Sequence, residues 1–207
     1  MDISRFRKLP LMGIMRGVPA EAAEPVCEAV VESGLETLEV AMNTPDAPEV
    51  LRRMVKAAGE RLTIGAGTVI NEKTLHAALE CGATFIVLPV VVPEVVSHCV
   101  RQKIPVFPGA LTPSEIYRAA SCGATMVKVF PARCFGPDYF REIKGPLNDI
   151  DLLACGGVGS DNIRSFFNAG ASAVAFGGRA FRKDWIEKKE FSRITDYIKA
   201  LIEAFRK

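Results

Sequence analysis

Lys128 stands in the apolar run Met126-Val127-Lys128-Val129-Phe130-Pro131, where strand alternation places it on one face with Met126 and Phe130 and leaves Val127 and Val129 on the other. Burial disfavours the ammonium form, and a lysine that has lost its proton is an amine nucleophile able to form a Schiff base with a ketone. A buried ion pair is the competing reading. Glu39 is the natural companion in either case. In Thr37 to Met42, Leu38, Val40 and Met42 share one face, and Thr37, Glu39 and Ala41, followed by Asn43, share the other. A carboxylate facing an imine-forming lysine can take a proton from the carbinolamine or a reacting hydroxyl and return one to an enamine carbon. It could also merely neutralise Lys128 or Arg16. Arg16 ends the first apolar run, where a fixed guanidinium would orient Glu39, hold a substrate oxyanion or form a simple salt bridge.

Weaker signals surround this pair. Gly65-Ala66-Gly67-Thr68 combines small residues, which admit a substrate close to the backbone, with a hydroxyl able to bind a carboxylate. Gly156-Gly157 and Gly177-Gly178 end the last two apolar runs. Backbone amides there, with Ser160 at a helix start and Arg179 beside the second pair, suit a dianion such as phosphate, although each pair could be only a tight turn.

The elements that must position these groups repeat along the chain. Eight short apolar runs are visible: Leu11 to Arg16, Thr37 to Met42, Leu62 to Gly67, Phe85 to Pro89, Val106 to Gly109, Met126 to Phe130, Leu152 to Gly156, and Ala173 to Phe176. Each is followed by a stretch of helical periodicity, for example Pro93 to Gln102 and Pro113 to Ser121, which is the pattern of parallel strands joined by crossover helices. Ser33-Gly34-Leu35, Cys81-Gly82-Ala83, Cys122-Gly123-Ala124 and Ala169-Gly170-Ala171 recur 41 to 48 residues apart, each closing a helical stretch with a glycine suited to a left-handed helix end. The period predicts a (β/α)₈ TIM barrel, α/β in class, in one domain over residues 1–207, with a doubly wound open sheet as the other architecture. Catalytic groups in such a barrel sit at the carboxyl ends of the strands. Phe191, Ile194, Ile198, Leu201, Ile202 and Phe205 are spaced as a closing helix.

Composition narrows the partners. The chain is 49% hydrophobic and 24% charged with a formal net charge of +2, and its basic residues are dispersed, so nucleic acid is not an expected partner. No apolar run approaches the ~20 residues of a membrane span. Arg5, Arg7 and Lys8 before Leu9 to Met15 have the outline of a short secretion signal, but Pro10 and Gly13 interrupt the apolar part. A leading helix with Ile3 and Phe6 inward, then a buried strand, is the preferred reading. Six cysteines without metal-ligand spacing read as reduced core thiols of a cytoplasmic protein, and His76 and His98, 22 positions apart, read as surface residues of helices.

Together, Leu9-Pro10-Leu11 through Arg16-Gly17, Glu39, Gly65-Ala66-Gly67-Thr68, Pro108-Gly109, Lys128-Val129-Phe130-Pro131, Gly156-Gly157 and Gly177-Gly178 resemble, in order, the 2-keto-3-deoxy-6-phosphogluconate (KDPG) aldolase family. The resemblance implies a class I aldolase, commonly a homotrimer, that needs no metal or other cofactor and cleaves a phosphorylated 2-keto-3-deoxy sugar acid to pyruvate and glyceraldehyde 3-phosphate. It implies Lys128 as the Schiff-base lysine, Glu39 as acid and base, and Thr68 as a ligand of the pyruvyl carboxylate. Phe130, with Pro89, would wall the pyruvyl unit, and the glycine pairs Gly156-Gly157 and Gly177-Gly178 would hold the phosphate. Asn43 departs from the arginine of gluconate-type members, and Glu39 to Pro45, Arg16-Gly17 and Phe135-Gly136-Pro137 look galactonate-like. Cys155 and Arg179 depart from both patterns and bear on the substrate. The competing functions are a 4-hydroxy-2-oxoglutarate aldolase, a sugar-phosphate isomerase or epimerase, and a non-catalytic phosphoacid-binding barrel.

Overall fold

The computed structural model describes all residues, Met1–Lys207. Nine strands form its sheet: β1 (Leu11–Met15), β2 (Thr37–Ala41), β3 (Thr63–Gly67), β4 (Ile86–Val87), β5 (Val106–Phe107), β6 (Gly109–Ala110), β7 (Val127–Val129), β8 (Leu152–Cys155) and β9 (Ala173–Phe176). The spatial order is β5-β4-β3-β2-β1-β9-β8-β7-β6, and every pairing is parallel. The two outermost strands, β5 and β6, are consecutive in the chain and separated only by Pro108, so the ring closes through the backbone itself into eight staves. This is a (β/α)₈ barrel.

The fifth stave is split where the sequence suggests one run, and the cause is local. Pro108 has no N–H to place in a ladder. Phe107 O accepts from Leu88 N–H on one side, whereas Pro108 O accepts from Lys128 N–H on the other. The chain therefore changes partners at the proline, and that change anchors the backbone of Lys128.

Ten helices surround the ring: α1 (Ile3–Lys8), α2 (Ala23–Ser33), α3 (Ala47–Ala58), α4 (Glu72–Glu80), α5 (Pro93–Arg101), α6 (Pro113–Ser121), α7 (Gly136–Lys144), α8 (Ile163–Asn168), α9 (Lys183–Glu187) and α10 (Ser192–Arg206). None is long and apolar enough to cross a membrane. Side chains cap the starts of α1, α4 and α6, and at α6 Thr112 and Glu115 form a reciprocal capping box around Pro113. Gly34, Gly82, Gly123 and Gly170 follow helices with φ between +82° and +99°, so the recurring glycine of the sequence is the left-handed residue that turns each chain segment back into the barrel.

Two apolar layers result from the strand alternation. Leu11, Leu38, Val40, Ile64, Val127, Val129 and Val174 point outward into a shell of helices. Inside the ring, Met12, Phe85, Val87, Phe107, Met126 and Leu153 fill the lower half. Phe6 of α1 closes the floor, its ring centroid 6.1 Å from that of Phe107, which lies 5.9 Å from Phe85. Each such side chain contributes about 1.5–3 kcal/mol by leaving water. The closing helix is α10, with Ile194, Ile198, Leu201 and Ile202 buried and Thr195 donating to Ala29 O at 2.9 Å.

Candidate active site

Above the apolar plug the barrel interior changes character. Lys128 on β7 and Glu39 on β2 belong to staves opposite one another across the ring, and both side chains are buried. An inward residue on either stave points to the barrel axis, so the two meet there. Neither oxygen of Glu39 has a hydrogen-bond partner although the residue is fully buried. Burial pushes its pKa above the ordinary carboxylate range, a rise that the charges of Lys128 and Arg16 partly oppose. Such a carboxylate holds its proton closer to neutrality, which suits it for passing protons to and fro.

Space for Glu39 comes from the neighbouring strand. A Cβ on Gly67 would lie 1.5 Å from Glu39 Oε1, and one on Gly65 would lie 2.5 Å from the Phe85 ring. These glycines face the carboxylate and the apolar plug and do not line the cavity, which corrects the expectation that they admit substrate to the backbone. Thr68, the next residue, does line it. Its φ of +58° is a costly conformation for a β-branched residue and turns the chain over the barrel mouth.

A cavity of about 780 Å³ opens over Lys128. Arg16, Thr68, Pro89, Phe130, Cys155, both glycine pairs and Arg179 line it, as do Ile14 and Arg133. The Lys128 Nζ lies 5.4 Å from the centroid of Phe130. Burial raises the pKa of the Cys155 thiol, while the nearby charge of Lys128 acts in the opposite sense. One wall is a polar chain: Arg16 donates to Asn43 Oδ1 at 2.7 Å and to Thr68 Oγ1 at 3.2 Å, and Gly17 N–H donates to Thr44 Oγ1 at 2.9 Å. Arg16 is in no ion pair. Asn43 sits behind Arg16 rather than on the cavity surface, and Glu39 lies beneath it.

The opposite wall is built of backbone. Gly156 and Gly157 have φ of +97° and +89°, and no backbone acceptor takes the N–H groups of Gly157, Val158, Gly178 or Arg179. Free peptide N–H groups in a cavity wall are donors suited to an anion. Ser160 is exposed and does not line the cavity, so the helix-start hydroxyl expected there lies elsewhere. Arg179 does line it, but its guanidinium is drawn to Asp161 Oδ1 at 3.2 Å. Arg133 carries no periodic signal in the sequence, because it lies in the short turn Ala132–Cys134 after Pro131. His76 on α4 and His98 on α5 stand edge to face on the outer surface, 5.3 Å apart.

A lysine and an unpartnered carboxylate facing each other at the strand ends of a parallel barrel are the equipment of an imine-forming lyase. Comparison with known proteins narrows that class. The chain belongs to the KDPG and KHG aldolase family, whose model matches residues 3–197. It is 32% identical over 198 residues to a 2-dehydro-3-deoxy-6-phosphogalactonate aldolase of Escherichia coli (strain K12), covering 95% of this chain and 97% of the relative. Among solved structures, native KDPGal superposes with a TM-score of 0.90 at 32% identity, over 96% of this chain and 95% of that one. A KDPG aldolase from Legionella pneumophila, solved with pyruvate captured at low pH as a covalent carbinolamine intermediate, superposes with a TM-score of 0.86 at 27% identity, over 93% of each chain.

Proposed function

We propose that this aldolase cleaves 2-keto-3-deoxy-6-phosphogalactonate or its gluconate epimer to pyruvate and glyceraldehyde 3-phosphate through a Schiff base on Lys128. The observation that carries the reading is the inward Lys128 opposed by the buried, unpartnered Glu39. The Lys128 amine attacks the C2 ketone, and Glu39 assists loss of water from the carbinolamine to leave a protonated imine. Glu39 then removes the C4 hydroxyl proton, the C3–C4 bond breaks into the aldehyde, and its electron pair passes to the imine as an enamine. Glu39 returns the proton to C3, and water hydrolyses the imine to pyruvate and the free amine. The imine is itself the electron sink, so the scheme calls for no metal or other cofactor.

Arg16 and Thr68 are assigned to the pyruvyl carboxylate, with Asn43 steadying Arg16. Phe130 and Pro89 flank the pyruvyl unit, and Cys155 borders the substrate carbons beyond it. The N–H groups around Gly156, Gly157, Gly177 and Gly178 are assigned to the distal anion. We infer one aldolase domain over residues 1–207, working in a reducing compartment such as the cytoplasm, a reading supported by six unpaired cysteines. Exposed Ile70, Val90, Tyr117 and Phe135 follow consecutive staves on one side of the barrel and support a homotrimer interface. A coupled assay for pyruvate with the two phosphosugar acids, their unphosphorylated forms and 4-hydroxy-2-oxoglutarate tests the substrate. Preference for a phosphosugar acid supports the proposal, and cleavage of 4-hydroxy-2-oxoglutarate alone contradicts it.

A further inference from the structure

Three arginines line the cavity, and they differ in what holds them. Arg16 is fixed by neutral acceptors at the wall assigned to the pyruvyl carboxylate. Arg179 is folded over Gly159, where a Cβ would meet its guanidinium at 2.7 Å and the Tyr197 hydroxyl at 3.6 Å, and Asp161 offsets its charge. Arg133 is in no ion pair and makes no side-chain hydrogen bond, yet its backbone is firmly placed. It lies in the turn Ala132–Cys134, its N–H donates to Gly156 O at 2.9 Å, and its Cβ presses on Gly157 so closely that a Cβ there would lie 2.6 Å away. The stem is thus pinned to the glycine pair that lines the cavity, and the charge beyond it is unmatched.

We propose that Arg133 is a specificity-determining residue that binds the distal phosphate of the substrate together with the amides of Gly157 and Gly178. The inference rests on the substrate class given above. Neutral peptide donors alone leave a dianion largely uncompensated, and Arg179 is already shared with Asp161. A guanidinium carried on a stem anchored at the same rim supplies paired N–H donors matched to phosphate oxygens. Arg133 therefore separates phosphorylated from unphosphorylated 2-keto acids.

The test compares the wild type with Arg133→Ala and Arg133→Lys, using a 2-keto-3-deoxy-6-phosphosugar acid and its unphosphorylated counterpart. Arg133→Ala is expected to lose about 10-fold or more in kcat/KM on the phosphorylated acid, mostly in KM, and less than about twofold on the unphosphorylated one. Arg133→Lys should recover part of the loss. Borohydride trapping of pyruvate by the variant shows that it is folded and still forms the imine. Equal losses on both substrates, or none on the phosphorylated one, overturn the proposal. Calorimetry with glycerol phosphate, an unreactive phosphate monoester, separates this claim from the catalytic one: binding weakened about 10-fold or more by Arg133→Ala supports it whatever the enzyme cleaves, and unchanged binding overturns it.

Discussion

The two ends of the barrel interior are built from the same eight staves and obey opposite rules. At the amino end, Met12, Phe85, Phe107, Met126 and Leu153 interlock over Phe6, and no charged side chain is buried among them. At the carboxyl end the same inward positions hold Glu39, Lys128 and Cys155, with a carboxylate left without a partner and peptide N–H groups left without an acceptor. The first end contributes stability and the second spends it, since a buried carboxylate without hydrogen bonds is costly. The contrast shows where on this scaffold chemistry is possible: groups in the open half can be reached, and the packed half keeps them from moving.

Breaking the open end at Glu39 should have the largest effect. Glu39→Gln is expected to lower kcat by about 10²–10⁴-fold, measured by pyruvate release. The same change should stabilise the fold at neutral pH. Because burial raises the folded pKa of Glu39, the folded protein binds more protons than the unfolded chain between the ordinary carboxylate pKa and the raised one, so stability falls as pH rises through that window. Denaturation midpoints should favour Glu39→Gln at pH 7, and the advantage should shrink as pH falls through that window toward about 4.5 and level off below it. A variant less stable than the wild type at pH 7 would contradict the assigned direction.

Breaking the packed end should do the reverse. Phe85→Ala removes a fully buried ring and is expected to cost about 3–5 kcal/mol in denaturant unfolding. Phe85 does not line the cavity, so KM should stay within about twofold wherever the variant is folded. A smaller change sharpens the contrast within the open end. Asn43→Ala removes the 2.7 Å acceptor of Arg16 and should raise KM by about 3–10-fold with little change in kcat, because Arg16 itself remains.

Much of this contrast is legible in the sequence because strand alternation is a local rule. Lys128 and Glu39 fall on inward faces by counting twos, and the recurring helix-end glycines give the strand-helix period. What alternation cannot give is the partner across a gap. Gly67 reads as room for substrate until β2 is laid beside β3 and the Glu39 carboxylate occupies that room. Arg179 reads as a free phosphate ligand until Asp161 closes on it. Pro108 looks like part of a single strand because its change of hydrogen-bond partners depends on the ladders to either side. Arg133 follows no period at all, and only its contact with Gly157 brings it to the cavity.

The central claim, that Lys128 is the nucleophile, is tested most directly by incubating the protein with pyruvate and borohydride and mapping the modified peptide by mass spectrometry. One reduced pyruvyl group on Lys128, absent from the Lys128→Met variant, is the result predicted. An unmodified Lys128, or an adduct on another lysine that persists in the variant, would contradict it.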